Sequence, residues 1–293
     1  MSSHHDEGTK TSGDCESPGG VIEYAQLQQQ KSTLVQQQPN VPKNQDQDDS
    51  DGDESYSDKW EEFHGIHSTG RFFKEKRYLT KEFPRLLEQD PRSIGQPHRI
   101  GEIGCGCGSA LIPVLRENSE AVAVACDVSS TAIGVFDDMC SQAGIDRRRV
   151  QLHVHSSGRT ECVTSSPFSS KSIDTMMIVF TLSAFHPRDI QAVLKEAWDS
   201  LDSGGILLLR DYGLYDMAHL RFTGKQLVDP EYLVYQRAEG TLSYFFSVES
   251  LQKMTEQAGF VTDECKYVTT YVTNLKKNRK MRRVFIHGVF KKP

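Results

Sequence analysis

Between Ile100 and Ile112 the chain reads IGEIGCGCGSALI, with Gly104, Gly106 and Gly108 alternating with Cys105 and Cys107 behind a short apolar run. Residues of these types in this spacing can do three things. They can turn the backbone sharply enough to cradle a nucleotide, supply thiolates to a metal, or let a helix pack closely on a strand. A metal is disfavoured, because C-x-C stands without a second cysteine or histidine pair at ligand spacing. The dinucleotide fingerprint is G-x-G-x-x-G, and here the third glycine falls one residue early. Glu102 stands two residues before Gly104; a carboxylate there would repel a pyrophosphate at close range but suits the ammonium of a methionine moiety. Asp127, 23 residues after Gly104 and at the end of the next apolar run, is placed to accept both hydroxyls of a ribose. Glu102 and Asp127 together favour S-adenosylmethionine over a dinucleotide, with plain strand-helix packing as the alternative for the glycine turn alone.

The elements that must position these residues alternate between apolar runs and amphipathic segments, which indicates an α/β fold, a mostly parallel sheet with helices on both faces. Arg99–Ile103, Ala121–Cys126, Val150–His155, Ile173–Leu182 and Ile206–Leu209 read as five strands. Ser129 caps a helix through Cys140, and Gly144 follows it. DIQAVLKEAWDSL has its apolar residues at helical spacing and is closed by Gly204-Gly205. Ser247 opens a helix through Ala258 with Gly259 as its stop. Tyr267–Thr273 and Val284–Phe290 are joined by a short polar loop, so they must be antiparallel neighbours; a parallel return needs a dozen or more residues. A seven-stranded sheet finished by a reversed strand, with a nucleoside site on its first turn, resembles the Rossmann-like class I methyltransferases. Dinucleotide-binding dehydrogenases normally stay parallel to the end.

Charge divides the chain. Of 293 residues with a formal net charge of −6, residues 1–57 carry eleven acidic and three basic side chains, so the remainder is slightly basic. That tail is rich in Gln, Asp and Ser without apolar periodicity, and is expected to be disordered. It is acid-rich and lacks arginine before Arg71, unlike a mitochondrial presequence. No run of about 18 apolar residues is present to span a membrane, and seven cysteines without a secretory signal suit reduced thiols inside the cell. Residues 58–98 then form a segment ahead of the first strand, and 99–293 the main domain with an aromatic-rich insertion at 212–246.

Five stretches in order resemble the tRNA N3-methylcytidine methyltransferase family: KWEEFHGIHSTGRFFKEKRYL, EIGCGCGSALIPVL, VFTLSAFHP, LRDYGLYDMAHLRF and YQRAEGTLSYFF. The resemblance runs from about Trp60 to the C-terminus. It implies an S-adenosylmethionine-dependent enzyme that methylates N3 of a cytidine in the anticodon loop of certain tRNAs. Residue by residue, Trp60 and His64 match an aromatic pair that packs on the cofactor. Gly104 matches the loop glycine, with Gly106 beside it, Asp127 the ribose acid, and Val179 the residue beside the adenine. Arg71, Phe72, Phe73, Lys74 and Arg77 belong to a segment that closes over the site and meets tRNA. The chain departs from the family at His64, where tyrosine is usual, and at Ser156, where an aspartate usually bonds the adenine amino group; Ser157 beside it is also expected to meet the cofactor. It departs again in RFFKEKRYL, where RFFKDRHWL is usual. These departures bear on cofactor affinity. The resemblance also implies action in the cytoplasm or nucleus, with an aminoacyl-tRNA synthetase or other accessory protein as a partner class.

The chemistry asks for little. Cytosine N3 carries a free lone pair at neutral pH and attacks the sulfonium methyl without first losing a proton, so alignment and exclusion of water can supply most of the acceleration. The base must be unpaired and held by stacking. Asp211, where the fifth strand ends, either faces the base and stabilises its developing charge or caps a loop through nearby amides. In the insertion, most aromatics read as the core of a small lid and Arg221 as an RNA contact. KKNRKMRR, with Lys276, Lys277, Arg279, Lys280, Arg282 and Arg283, reads as a loop at the cofactor edge of the sheet that grips phosphates, or as a solvated charge run. The competing functions are a methyltransferase for a small molecule or protein, and a non-catalytic RNA-binding scaffold of the same fold.

Overall fold

Ile173–Val179 is buried at every position, which a strand can achieve only when it is covered on both faces. In the computed structural model, which describes residues 53–70, 72–88, 95–158, 166–168, 173–274 and 279–293, this strand lies at the centre of a seven-stranded sheet. The strands are β1 Arg99–Ile103, β2 Val122–Asp127, β3 Val150–Val154, β4 Ile173–Val179 and β5 Leu201–Tyr212, then a small sheet of β6 Leu227–Asp229, β7 Val234–Gln236 and β8 Leu242–Ser243, and finally β9 Val261–Asn274 and β10 Arg279–Lys291. The large sheet runs β3-β2-β1-β4-β5-β10-β9. Strands β1 to β5 are parallel, and β10 is antiparallel to both of its neighbours. From β1 the chain steps outward to β2 and β3, then crosses back to β4. The crevice at the carboxyl ends of β1 and β4 is therefore the switch point where ligands bind in such sheets.

Helices cover both faces. α1 (Asp53–Ile66), α2 (Leu79–Glu82), α3 (Leu111–Glu117) and α4 (Ser130–Gln142) precede β3, while α5 (Ile190–Ser200), α6 (Met217–Arg221) and α7 (Val248–Gln257) follow β4. One core layer joins α3 and α4 to the sheet through Leu111, Leu115 and Phe136. The other joins α5 and α7 through Val193, Leu194, Leu251 and Met254. The caps fall where the sequence places them: Ser129 accepts from the Ala132 amide, and Ser247 from the Ser250 amide.

Several boundaries differ from the sequence reading, among them the start of β9, which lies at Val261 and not Tyr267. Helix α1 begins at Asp53, so residues 53–57 are structured, while the rest of the tail lies outside the described residues. Strand β4 stops at Val179 because Phe180 has φ of 58°, a left-handed conformation that ends the extended run; Leu182–Ala184 is instead a short 3-10 turn. Strand β5 begins at Leu201, and Gly204-Gly205 lies in a register break within it, where Ile173 pairs with Leu201 and Thr175 with Ile206. The polar loop after β9 is shorter than expected: Arg279–Arg283 are strand residues paired with Asn274–Thr270, and the connection at 275–278 lies outside the described residues. Pairing of β10 with β5 begins only at Phe285 and Tyr212. The hairpin therefore projects past the sheet edge as a two-stranded ribbon.

Candidate active site

At the switch point a cavity of about 480 Å³ opens between the glycine turn, the end of β4, helix α1 and the insertion. The turn is built by three glycines with φ of 69°, 51° and 78°, and each serves differently. A Cβ on Gly104 would lie 2.1 Å from Thr181 Cγ2, and one on Gly108 would lie 2.4 Å from the Phe136 ring. Gly108 is thus the close-packing glycine. At Gly106 a Cβ would meet only His64 Cε1 at 3.8 Å, so its space belongs to the cavity.

Asp127 closes the turn from below. Its Oδ2 accepts from the Gly106 amide at 2.8 Å and its Oδ1 from the Ser129 amide at 3.0 Å. Burial raises its pKa, while those amides and the His64 charge oppose the rise. Each oxygen keeps a second lone pair, which suits two ribose hydroxyls. Glu102 is almost fully buried on β1, lines the same cavity, and accepts no hydrogen bond at Oε2. Burial pushes its carboxyl up to about 8, against the Lys76 ammonium. A buried carboxylate oxygen without a partner fits a cationic ligand, and with Asp127 it fits the amino-acid and ribose ends of S-adenosylmethionine.

Helix α1 brings Trp60 and His64 to the cavity, their rings 6.0 Å apart. The helix is held by Glu61, which accepts from the Thr131 amide and from the hydroxyls of Ser130 and Thr131 at the start of α4. Against burial, which would raise it, hydrogen bonds from Ser129, Thr131 and Ser130 hold the Glu61 carboxyl down at about 2. His64 Nδ1 lies 3.6 Å from Cys107 Sγ, and burial lowers the His64 pKa although Asp127 and Glu61 pull it up. Ser156, Ser157 and Val179 line the far end, where Ser157 also contacts Cys126.

The nucleic-acid residues divide. Phe72, Phe73, Lys74 and Arg77 are exposed, and the two phenylalanines pack on Phe63, Phe72 edge-on at 5.1 Å and Phe73 tilted at 5.9 Å. Arg71, Lys276 and Lys277 lie outside the described residues, and Arg279 is described only in its backbone. Lys280 is exposed and covers the Tyr271 ring at 4.6 Å, and Arg282 is half-buried. Arg283, expected on a loop that grips phosphates, is instead a strand residue in an ion pair: its Nε donates to buried Asp216 at 2.8 Å and its guanidinium covers the Phe285 ring at 5.2 Å, so it forms cavity wall. Arg221 is exposed in an adjoining cavity of about 360 Å³, which shares Tyr212, Arg237, Glu239 and Arg283 with the first. Asp211 does not face either cavity. It is fully buried and accepts the amides of Ser183 at 2.9 Å and Tyr212 at 2.8 Å, which is the loop-capping alternative. Burial pushes its carboxyl up to about 6 against those bonds.

Sequence reasoning missed Lys76, Phe180, Arg237 and Phe285, which also line the cavity. Phe180 stands 5.1 Å from Tyr212 and 5.4 Å from Phe285 by ring centroids. Only Phe180 had a local signal, its place directly after an apolar strand.

The strand order, the switch-point cavity and the acid at the end of β2 define a class I methyltransferase. A methyltransferase-domain family profile matches residues 100–205. The crystal structure of a SAM-dependent methyltransferase from Anabaena variabilis superposes with a TM-score of 0.59 at 12% identity, covering 87% of this chain and 100% of that one. The tRNA N(3)-methylcytidine methyltransferase Mettl2 of Drosophila melanogaster is 37% identical over 237 residues, 80% of this chain and 70% of the relative. The rat tRNA N(3)-cytidine methyltransferase METTL6 is 34% identical over 234 residues, 80% and 78% of the two chains. The chain belongs to the tRNA N3-methylcytidine methyltransferase family.

Proposed function

We propose that this enzyme transfers the methyl group of S-adenosylmethionine to N3 of a cytidine in the anticodon loop of tRNA. The observation that carries the reading is the shape of one cavity: a nucleoside end at Gly104, Gly106 and Asp127, continuous with an aromatic mouth at Phe180, Tyr212 and Phe285 flanked by Arg237 and Arg283. When bound, S-adenosylmethionine supplies an electrophilic methyl on a sulfonium. Trp60 and His64 exclude water from that methyl, and the aromatic mouth takes a base splayed from the loop by stacking. No side chain has to remove a proton, so the chain's contribution is alignment. Asp211 acts at one remove, by fixing the amides of Ser183 and Tyr212. Arg221 in the adjoining cavity, the exposed Lys74 and Arg77, and Lys280 on the ribbon meet the phosphates.

Among the described residues no helix is long and apolar enough to cross a membrane. The reading places the enzyme with tRNA in the cytoplasm or nucleus, and admits an aminoacyl-tRNA synthetase as accessory partner. Incubation of unmodified tRNA with the protein and methyl-labelled cofactor, followed by mass spectrometry of the nucleosides, tests it. Labelled 3-methylcytidine is expected, and its yield with and without added synthetase reports on the accessory. Label in another nucleoside overturns the assignment of the acceptor atom.

A further inference from the structure

Methyl transfer leaves the acceptor base positively charged. The N3 lone pair forms the bond to the methyl carbon, the C–S electron pair returns to sulfur, and no proton moves. The new charge is shared between N3 and the 4-amino nitrogen, so a carboxylate bonded to that amino group stabilises the transition state more than the ground state. Asp211 cannot serve, because it is buried and occupied by two amides. Among the other carboxylates of the cavity, Glu102 and Asp127 stand at the cofactor end. Asp189 precedes α5 beyond Ser156 and Ser157, where a Cβ on Gly158 would meet its carbonyl at 3.5 Å. Glu239 remains, and it stands where the two cavities share a wall with Tyr212, Arg237 and Arg283.

Glu239 lies on the turn between β7 and β8, and that turn is firmly held. The Arg237 amide donates to the Thr241 carbonyl at 2.8 Å, and the Gly240 amide to the Arg237 carbonyl at 2.9 Å. Gly240, with φ of 90°, packs on Lys59 of α1, which a Cβ there would meet at 2.7 Å. The Arg237 guanidinium reaches back across the turn to the Thr241 hydroxyl at 3.3 Å, the Leu242 carbonyl at 3.0 Å and the Ser243 hydroxyl at 3.2 Å, and lies 5.9 Å from the Tyr212 ring. The same Thr241 hydroxyl donates to Glu239 Oε1 at 3.3 Å. One hydroxyl thus ties the carboxylate to the cation at the aromatic mouth, and the second carboxylate oxygen is left to a ligand. A carboxylate on a wall that receives RNA repels phosphate, so an acid held here suits the pairing edge of a base. Cytosine offers a donor at its 4-amino group, where uracil offers a carbonyl oxygen, and glutamate is a natural acceptor for that donor.

We propose that Glu239 accepts the 4-amino group of the acceptor cytosine, so that one side chain both selects cytosine over uracil and stabilises the charge that the methyl group brings. The inference rests on the function proposed above and deepens it by naming the group that reads the base.

Single-turnover methylation of tRNA by the full chain tests this, with the acceptor either cytidine or its 2-pyrimidinone analogue, in which hydrogen replaces the 4-amino group. Glu239→Ala should slow transfer to cytidine about ten- to a hundredfold, the size of one charge-assisted bond. Glu239→Gln keeps an acceptor oxygen without the charge and should lose less. Wild type should methylate the analogue more slowly than cytidine, yet the alanine variant should slow that reaction no more than about twofold further, because the bond has no partner left to lose. Affinity for S-adenosylhomocysteine should stay within about twofold of wild type. Equal slowing of both acceptors would make Glu239 a mere part of the wall, and would overturn the proposal. So would an alanine variant as fast as wild type on cytidine. If the analogue reacts too slowly to time, dissociation constants of the two tRNAs with S-adenosylhomocysteine bound carry the same comparison. Glu239 is exposed, so both variants should keep the wild-type Tm; if the alanine variant does not, the glutamine variant carries the test. Wild type that leaves cytidine N3 unmethylated sinks the functional reading itself, whereas an active wild type with an indifferent Glu239 sinks this proposal alone.

Discussion

Replacing Asp127 by alanine separates its two tasks. The carboxylate accepts the Gly106 and Ser129 amides at 2.8 and 3.0 Å, and in the functional reading it also accepts two ribose hydroxyls. Each charge-assisted bond contributes about 1.5–3 kcal/mol, so losing two to the ribose weakens the cofactor by about 3–6 kcal/mol, roughly a hundredfold to more than ten-thousandfold in Kd. The stability cost is a different quantity. Two amides lose their acceptor, at about 1–3 kcal/mol each if water cannot reach them, and water can reach Gly106 through the cavity. We therefore expect a fall in Tm of a few degrees, since about 1 kcal/mol corresponds to roughly 2–4 °C in a domain of this size. Asp127→Asn keeps one acceptor but turns an NH2 toward one of the two amides, so it should fall between wild type and alanine. Calorimetry with S-adenosylhomocysteine, thermal unfolding and fluorescence titration with tRNA measure the three effects separately. An alanine variant that binds S-adenosylhomocysteine within about tenfold of wild type would refute the ribose assignment; one that loses tRNA affinity to the same degree would refute the separation of the two binding regions.

Gly104→Ala should fold poorly or not at all, because its Cβ meets Thr181 at 2.1 Å in a left-handed backbone, whereas Gly106→Ala should cost only about 1–2 kcal/mol of backbone strain; urea unfolding of both ranks them. Neutralising Lys276, Lys277, Arg279 and Lys280 should weaken tRNA binding and flatten its salt dependence while leaving the affinity for S-adenosylhomocysteine unchanged, with slopes of log K against log salt as the measure. Glu61 has a folded-state pKa of about 2 against an ordinary 4.5, so its contribution to stability is present above about pH 4.5 and is lost as pH falls toward 2. Tm measured across that window should therefore drop less steeply in Glu61→Gln than in wild type.

Much of the frame is legible in the residues because it rests on local pattern. The order of strands, the caps at Ser129 and Ser247, the glycine turn and Asp127 all come from spacing within one or two elements. Other features depend on segments that meet only in the folded chain. Lys76 looks no different from Lys74 in RFFKEKRYL; only the seat of its amide on Ser109 turns it inward. Arg283 reads as one of a run of cations because its partner, Asp216, lies 67 residues earlier. The ribbon was hidden for a related reason: its charges suggest a loop, while its pairing with β9 is set by a neighbour strand rather than by its own alternation. Asp211 shows the converse, since its place at a strand end suggested chemistry and its full burial removes it from contact.

Strand β10 enters the sheet between β5 and β9 and carries Arg283 and Phe285 into the cavity wall. Ribosomes deliver these residues late, after the glycine turn and its acid have long since emerged. A nascent chain thus holds Phe180, Tyr212 and Arg237 of the cavity wall before it holds Arg283 and Phe285. Insertion of this strand beside β5 joins residues far apart in sequence, a slow kind of step, so the wall that Arg283 and Phe285 supply closes late.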